Sequence, residues 1–231
     1  MNARQSVRVH GPDAAGYLQG QISQDVNALA DGDVAWSLVL QPTGKVAAWF
    51  RIKRESADSY LLDIDTGYRD ALVARLQRFK LRTDASIDPI QEEIAEPVSW
   101  PGVIDDADER QRILAGMPRM GAELTDDTIP GEGGPYFIDS SVSFTKGCYT
   151  GQELVARIDS RGGNVPRPIR ILSAAGPVQV GDEVRVDDGL VGTVTSASDN
   201  VALAPLKRAV EIGDAVMVGA VEATVIAPAE S

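Results

Sequence analysis

Phe144-Thr145-Lys146-Gly147-Cys148-Tyr149-Thr150-Gly151-Gln152-Glu153-Leu154-Val155-Ala156-Arg157 is the stretch on which the reading of this chain turns. Thr150 and Glu153 have the S/T-x-x-E spacing of a capping box, followed by apolar Leu154, Val155 and Ile158. The pattern predicts a helix with Thr150 as its N-cap and Glu153 reaching back to it, so Glu153 is a structural residue before it is a catalytic one. Cys148 then stands two residues before the cap, near the positive end of the helix dipole, with Lys146 close in sequence. Both charges favour the thiolate over the thiol. The competing reading is a cysteine packed as a small, inert apolar residue. From Lys146 to Arg170 the bases Lys146, Arg157, Arg161, Arg167 and Arg170 face only Glu153 and Asp159. A locally positive segment of this kind can steer an anionic ligand.

The whole chain has the opposite balance. Its 231 residues carry 34 acids and 22 bases, a formal charge of −12, which argues against non-specific nucleic-acid binding. With 43% apolar residues it can bury a sizeable core, as one large domain or two modest ones. No apolar run approaches the ~20 residues of a membrane span. The first ten residues hold charges and no apolar block, so neither a signal peptide nor a membrane partner is expected and a cytoplasmic location is. Cys148 is the single cysteine and His10 the single histidine. An internal disulfide is excluded, and the chain alone cannot supply the roughly three or four Cys/His ligands of a zinc or iron–sulfur centre. A catalytic pair built on His10, close to the terminus, is a poor candidate.

Working outward, residues 6–9 read as a strand and Gly11-Pro12-Asp13 opens a helix that runs to about Gln21. Residues 34–40 and 46–52 flank Gln41-Pro42-Thr43-Gly44-Lys45 as a hairpin, and residues 60–64 form a further strand. The spacing predicts a helix over 68–80, with Leu72, Leu76 and Phe79 as its buried stripe. Arg75, Arg78 and Arg82 share another face, with Lys80 nearby and no acid from Ala71 to Thr83. That face is either ordinary solvated surface or a basic rim for an anionic tail. Residues 84–90 read as a strand, 91–108 as a Pro- and acid-rich connection, and 108–115 as a short helix stopped by Gly116 and Pro118. Ile129 to Pro135 reads as a glycine- and proline-rich loop. From about Arg167 short Val/Ile/Leu runs alternate with Gly-Asp turns, a small all-β module in which Val180-Gly181-Asp182-Glu183-Val184 recurs in form as Ile212-Gly213-Asp214-Ala215-Val216.

The segment Lys146-Gly147-Cys148-Tyr149-Thr150-Gly151-Gln152-Glu153 resembles the K-G-C-Y-x-G-Q-E signature of the YgfZ family, folate-binding relatives of the glycine-cleavage aminomethyltransferase. Gly11-Pro12-Asp13-Ala14-Ala15-Gly16-Tyr17-Leu18-Gln19-Gly20-Gln21 resembles the family's opening motif, with Tyr17 for the usual Phe, and Pro42-Thr43-Gly44-Lys45 its hairpin turn. Arg112 to Pro118 is similar to R-x-x-A-G-x-P, Pro130-Gly131-Glu132 to P-x-E, and Val191 to Ser196 to V-G-x-V-T-S.

The resemblance implies an α+β, GcvT/YgfZ-like folate-binding fold of two pseudo-related lobes around a central cleft over residues 1–165, then a small C-terminal β-barrel over 166–231. It implies a tetrahydrofolate-binding accessory protein that assists assembly or repair of iron–sulfur clusters in client enzymes, including those of tRNA modification, with no metal of its own and no direct nucleic-acid contact. Cys148 is the functional thiol in this reading. Arg112, Lys146, Gly147, Tyr149, Gly151 and Gln152 line the ligand, Tyr149 as an aromatic wall and Arg112 as a partner for a carboxylate or pteridine oxygen. The bland alternatives are core packing for Tyr149 and a structural ion pair for Arg112. Trp36, Trp49 and Trp100 read as core. The alternative activity is a tetrahydrofolate-dependent aminomethyl or other one-carbon transferase. That enzyme carries an acidic pair just after the hairpin, where this chain has Val46-Ala47-Ala48-Trp49-Phe50. Without a carboxylate there, proton relay or stabilisation of an iminium-like carbon lacks its group. A shortened 91–108 connection further implies a reduced ligand wall.

Overall fold

The computed structural model describes residues 4–90, 108–160 and 164–228; the connection over 91–107, Trp100 and Arg161 lie outside the described residues. The chain forms two compact units interleaved in sequence: residues 2–102 with 138–157, and residues 103–137 with 158–231. Neither unit is obtained by a single cut at residue 165.

The first unit is built from β1 (Arg4–His10), α1 (Ala14–Gln21), β2 (Val34–Leu40), β3 (Val46–Ser56), β4 (Ser59–Asp65), α2 (Arg69–Arg78) and β5 (Ser86–Ile90). The strands make one antiparallel sheet in the order β2-β3-β4-β1-β5. Alternation along the strands sorts the side chains by face. Val7, Val9, Phe50, Ile52, Leu62 and Ile64 pack with Tyr17 and Leu18 of α1 and with Leu72 and Leu76 of α2. The intervening residues form a second buried face that mixes aromatic and charged groups. There Trp36 stands opposite Arg51, and Arg51 opposite Asp63. The Trp36 and Trp49 rings stack at 3.9 Å, and the Arg51 Nε donates to Asp63 Oδ2 at 2.7 Å. Both described tryptophans are thus buried.

α2 is shorter than the periodicity suggests. It ends at Arg78, and Phe79 is only half-buried at its C-cap. The reason is local: the Arg75 guanidinium covers the Phe79 ring at 3.9 Å, so the ring makes a cation–π contact instead of joining the apolar stripe.

The second unit contains α3 (Glu109–Leu114) and, after α4 (Gly134–Ser141) and α5 (Gln152–Ser160), the strands β6 (Ile169–Ala174), β7 (Glu183–Val186), β8 (Gly189–Thr193), β9 (Ser196–Ser198), β10 (Val201–Pro205), β11 (Ala215–Val218) and β12 (Val221–Ile226). The helices α4 and α5 straddle the boundaries between units. α4 corrects the loop expected over 129–135. Pro130–Gly133 is a 3-10 turn, and the helix starts directly at Gly134, whose φ of +86° a side chain would resist. Two Gly–Pro pairs therefore mark a helix start.

The seven strands form an antiparallel sheet in the order β8-β7-β11-β12-β6-β10-β9. A bridge between Gly192 and Leu206 brings β8 back against the end of β10 and curls the sheet into a small barrel. A Cβ at Gly192 would lie 2.5 Å from the Pro205 carbonyl oxygen, so glycine permits this closure. The recurring turn is repeated in full. The Gln179 and Glu211 amides donate to Asp182 and Asp214 carboxylates at 2.8 and 2.9 Å, and the Gly181 and Gly213 amides donate to Val194 and Val225 carbonyls at 2.9 and 2.8 Å.

Within this unit a buried carboxylate gathers two of the quoted motifs. Glu123 is 2% exposed and accepts from the hydroxyls of Thr195 at 2.7 Å and Ser196 at 2.6 Å, and from the Arg119 amide at 3.0 Å. Arg112 adds its Nη1 at 3.5 Å. Glu132 accepts the amides of Ile129 and Arg167 at 3.1 and 3.2 Å. A buried carboxylate survives only when its lone pairs are so filled. Removing it strands the Ser196 hydroxyl and the Arg119 amide and leaves the Arg112 charge with one partner fewer. Glu123→Ala is therefore expected to lower folding stability by about 3 kcal/mol, read as a drop in the urea midpoint, with Ser196→Ala costing about 1 kcal/mol.

Candidate functional site

The quoted signature lies in the first unit, and two other motifs receive it there. Lys146 points its ammonium into the C-terminal end of α1. Its Nζ donates to the carbonyls of Gln19 at 2.7 Å, Ile22 at 2.7 Å and Gln24 at 3.0 Å. Gln19 is in the last turn of α1, whose carbonyls a helix leaves open, Ile22 is its C-cap and Gln24 lies just beyond, and a cation also suits the negative end of the helix dipole. Burial pushes the Lys146 pKa down to about 8, against a smaller opposing pull from Asp25. Four residues on, the Thr150 amide donates to the Gly20 carbonyl at 3.2 Å. Gln21 of the same opening motif accepts from Arg75 Nη1 at 3.3 Å, while Arg75 Nη2 reaches the Leu40 carbonyl at 2.7 Å. The Leu-Gln-Gly-Gln run is thus a platform, residue by residue.

The hairpin turn closes the arrangement from glycine to glycine. A Cβ on Gly151 would sit 2.5 Å from the Gln41 oxygen and 2.7 Å from Leu40 Cβ. One on Gly44 would sit 2.4 Å from Leu154 Cβ. Both residues also have positive φ, +84° and +83°. Only glycine fits at either place.

The expected capping box does not form. α5 starts at Gln152, one residue after Gly151. It is the Gln152 side chain that accepts the Tyr149 amide, at 3.1 Å, and Glu153 is exposed. The left-handed turn at Gly151 moves the helix start beyond Thr150, so the S/T-x-x-E spacing has no N-cap geometry to serve. Tyr149 is 8% exposed, with the Lys146 ammonium 5.0 Å from its ring centre, and burial pushes its hydroxyl pKa up to about 12.

Cys148 differs from its neighbours: it is exposed and free. Gly147 before it has open space where a Cβ would be. Lys146, expected to act on the thiol from nearby, is instead committed to the α1 carbonyls. The apolar-packing alternative for Cys148 is set aside by its exposure.

Arg112 belongs to the other unit, where its side chain is buried in an ion pair. It is 1% exposed, donates to Glu109 at 2.7 and 3.1 Å, and bonds the Met117 carbonyl with the nitrogen that also faces Glu123. Its planar fork is spent on Glu109 of its own helix and on Met117 and Glu123 beyond it, a pattern that R-x-x-A-G-x-P alone does not reveal. The charges of Arg112 and Lys146 are thus engaged within the protein, Arg112 with Glu109 and Lys146 with three backbone carbonyls. The Arg4–Asp63–Arg51 network beside Trp36 was missed in the sequence, because its members lie on three different strands. The stretch Val46–Phe50, where the aminomethyltransferases have acids, is buried apolar strand, with Val46, Ala48, Trp49 and Phe50 all at or below 4% exposure.

The comparisons agree with the motifs. No family model matches the chain. A tRNA-modifying protein YgfZ from Pectobacterium carotovorum is 26% identical over 81% of this chain and 75% of its own length. An iron–sulfur cluster assembly factor IBA57 homolog, mitochondrial, from Mycosarcoma maydis is 28% identical over 68% of this chain and 52% of its own. The crystal structure of the glycine cleavage system aminomethyltransferase T from Bartonella henselae superimposes with a TM-score of 0.77 over 96% of this chain and 82% of that one, at 15% identity. The chain is similar in sequence to YgfZ and IBA57 proteins and in fold to the aminomethyltransferase. Its fold is that of the aminomethyltransferase, and its motifs are those of the YgfZ-like branch.

In this YgfZ-like chain Lys146 carries a pH signature. Folded, it releases its proton near pH 8 and unfolded near 10.5, so between those values the unfolded chain binds more protons. The contribution of Lys146 to stability is therefore constant below about pH 8 and rises from there towards 10.5. The difference in urea stability between wild type and Lys146→Met should grow in favour of wild type from pH 7.5 to 9.5, and a flat difference would show that the ammonium is not held as described. Gly151→Ala, which places a methyl against the Gln41 oxygen, should cost about 2 kcal/mol or more in the same assay.

Proposed function

We propose that this YgfZ-like protein is a cytoplasmic accessory factor that binds a reduced folate and assists assembly or repair of iron–sulfur clusters in client enzymes, with Cys148 as the working thiol. The observation that carries the reading is the contrast within one loop. Lys146, Tyr149, Thr150, Gly151 and Gln152 are all engaged in holding the loop on α1 and the hairpin, and Cys148 between them is left in solvent. A thiol held on a fixed backbone and open to solvent is suited to meeting a second macromolecule, since pre-organisation lowers the cost of ordering on contact.

The names of the relatives support the client class: one is a tRNA-modifying protein and another an iron–sulfur cluster assembly factor. A tetrahydrofolate ligand is suggested by the superfamily fold. Its contacts are not assigned to Arg112 or Lys146, whose donors are filled. One-carbon transfer by this chain is disfavoured by the apolar Val46–Phe50 strand, which offers no carboxylate at that place.

Two measurements test the proposal. Titration with tetrahydrofolate, followed by the fluorescence of the tryptophans and by calorimetry, should show saturable one-to-one binding. Cys148→Ser should fold with an unchanged urea midpoint, keep folate binding, and lose at least tenfold of its ability to restore an iron–sulfur client's activity in cells lacking the protein. Full restoration by Cys148→Ser would remove the thiol from the mechanism. No folate binding at millimolar ligand would remove the folate.

A further inference from the structure

We propose that the tip of α2, from Arg78 to Arg82, is the docking edge for the client protein, and that the client meets it with an acidic surface surrounding an apolar contact. This rests on the accessory role proposed above and adds to it the place and chemistry of the encounter.

The charge is the first observation. In a chain of net charge −12, four bases and no acid occur from Ala71 to Thr83. Arg78, Lys80 and Arg82 form no ion pair among the described residues. An acidic partner is repelled by most of this protein and attracted here, so the patch selects an orientation as well as a partner.

The second observation is that the tip is pre-shaped. Arg75 is fixed by Leu40 and Gln21 and lies 3.9 Å from the centre of the Phe79 ring, with Arg78 at 5.8 Å. Beyond Phe79, Leu81 is 80% exposed, the most exposed large apolar side chain among the described residues. It precedes Arg82, which takes the left-handed backbone at φ +52°. A bulky residue there costs on the order of 1 kcal/mol, and such strain persists where the surrounding structure imposes it, commonly at contact sites. A free anionic tail or a nucleic-acid backbone would use the cations and leave Leu81 in water. A protein surface uses both.

The third is position. Gln21 and Leu40, which hold Arg75, adjoin the residues that receive the thiol loop: Gly20 bonds the Thr150 amide, and Leu40 Cβ lies where a Gly151 side chain would be. The loop adds a second exposed apolar group, Phe144, at 49%. A client seated on the α2 tip is thereby brought to the element that carries Cys148.

The test uses the full-length protein and a fluorescent octapeptide of six acidic residues and two leucines, with hexaglutamate and a six-nucleotide single-stranded RNA as probes of similar charge. The leucine peptide should bind at least tenfold more tightly than either. Leu81→Asp, and separately the double variant Arg78→Glu/Arg82→Glu, should weaken it tenfold or more while leaving the urea midpoint and tetrahydrofolate binding unchanged. Cys148→Ser should bind the peptide as wild type does. Equal binding of hexaglutamate or RNA, or peptide affinity indifferent to the reversals, would overturn the docking edge and leave the folate and thiol roles intact. Loss of those roles with peptide binding retained would instead overturn the accessory function on which the edge rests.

Discussion

Three carbonyl oxygens in and just beyond the last turn of α1 and one ammonium, that of Lys146, hold the signature loop in place. A helix end must find donors for its last carbonyls, and water is the usual source. Here the donor comes from 127 residues downstream of Gln19, and with it comes the whole signature loop. The same contact removes the lysine's charge from the neighbourhood of the thiol. Exposure of Cys148 then follows from the fixing of its neighbours on both sides, by Lys146 to the helix and by Gly151 to the hairpin. Motifs that look independent along the chain are two halves of one joint.

This bears on how the motifs should be understood. Of the residues carried over as a ligand set, those with charge are occupied in holding backbone or in closing ion pairs. Arg112 with Glu109 and Glu123, and Thr195 and Ser196 with Glu123, settle a polar core in the second unit. The signature therefore mixes residues engaged in holding backbone with one, Cys148, that is exposed.

Much of the fold was legible in the sequence, for identifiable reasons. The hairpin over 34–52, the α1 start at Gly11-Pro12-Asp13 and the Gly-Asp turns of the barrel are local signals, and local signals were read correctly. The failures have a common cause. The S/T-x-x-E spacing at Thr150 was overridden by the left-handed Gly151, which serves a contact with Gln41 far away in sequence. Phe79 was drawn out of the stripe by Arg75, itself held by Leu40 and Gln21. α4 was hidden because its first residues, Gly134 and Pro135, are turn formers as well as helix starters. Cys148 was legible as a motif position, and its exposure was not. For Gly151 and Phe79 a tertiary contact outweighed a local preference worth a few tenths to about 1 kcal/mol.

The interleaving of the two units sets an order of events on the ribosome. The carbonyls of Gln19, Ile22 and Gln24 emerge early, and Lys146 follows only after the 103–137 segment of the other unit has been made. At about 5–20 residues per second that interval is on the order of ten seconds. Throughout it the nascent first unit holds a sheet and two helices with an open helix end and a hairpin lacking its α5 neighbour. The thiol loop and the start of α5 are thus the last pieces of that unit to arrive, and a chain interrupted before residue 146 carries no cysteine at all. Synthesis itself ensures that the thiol is never made before the residues of the platform that holds its loop.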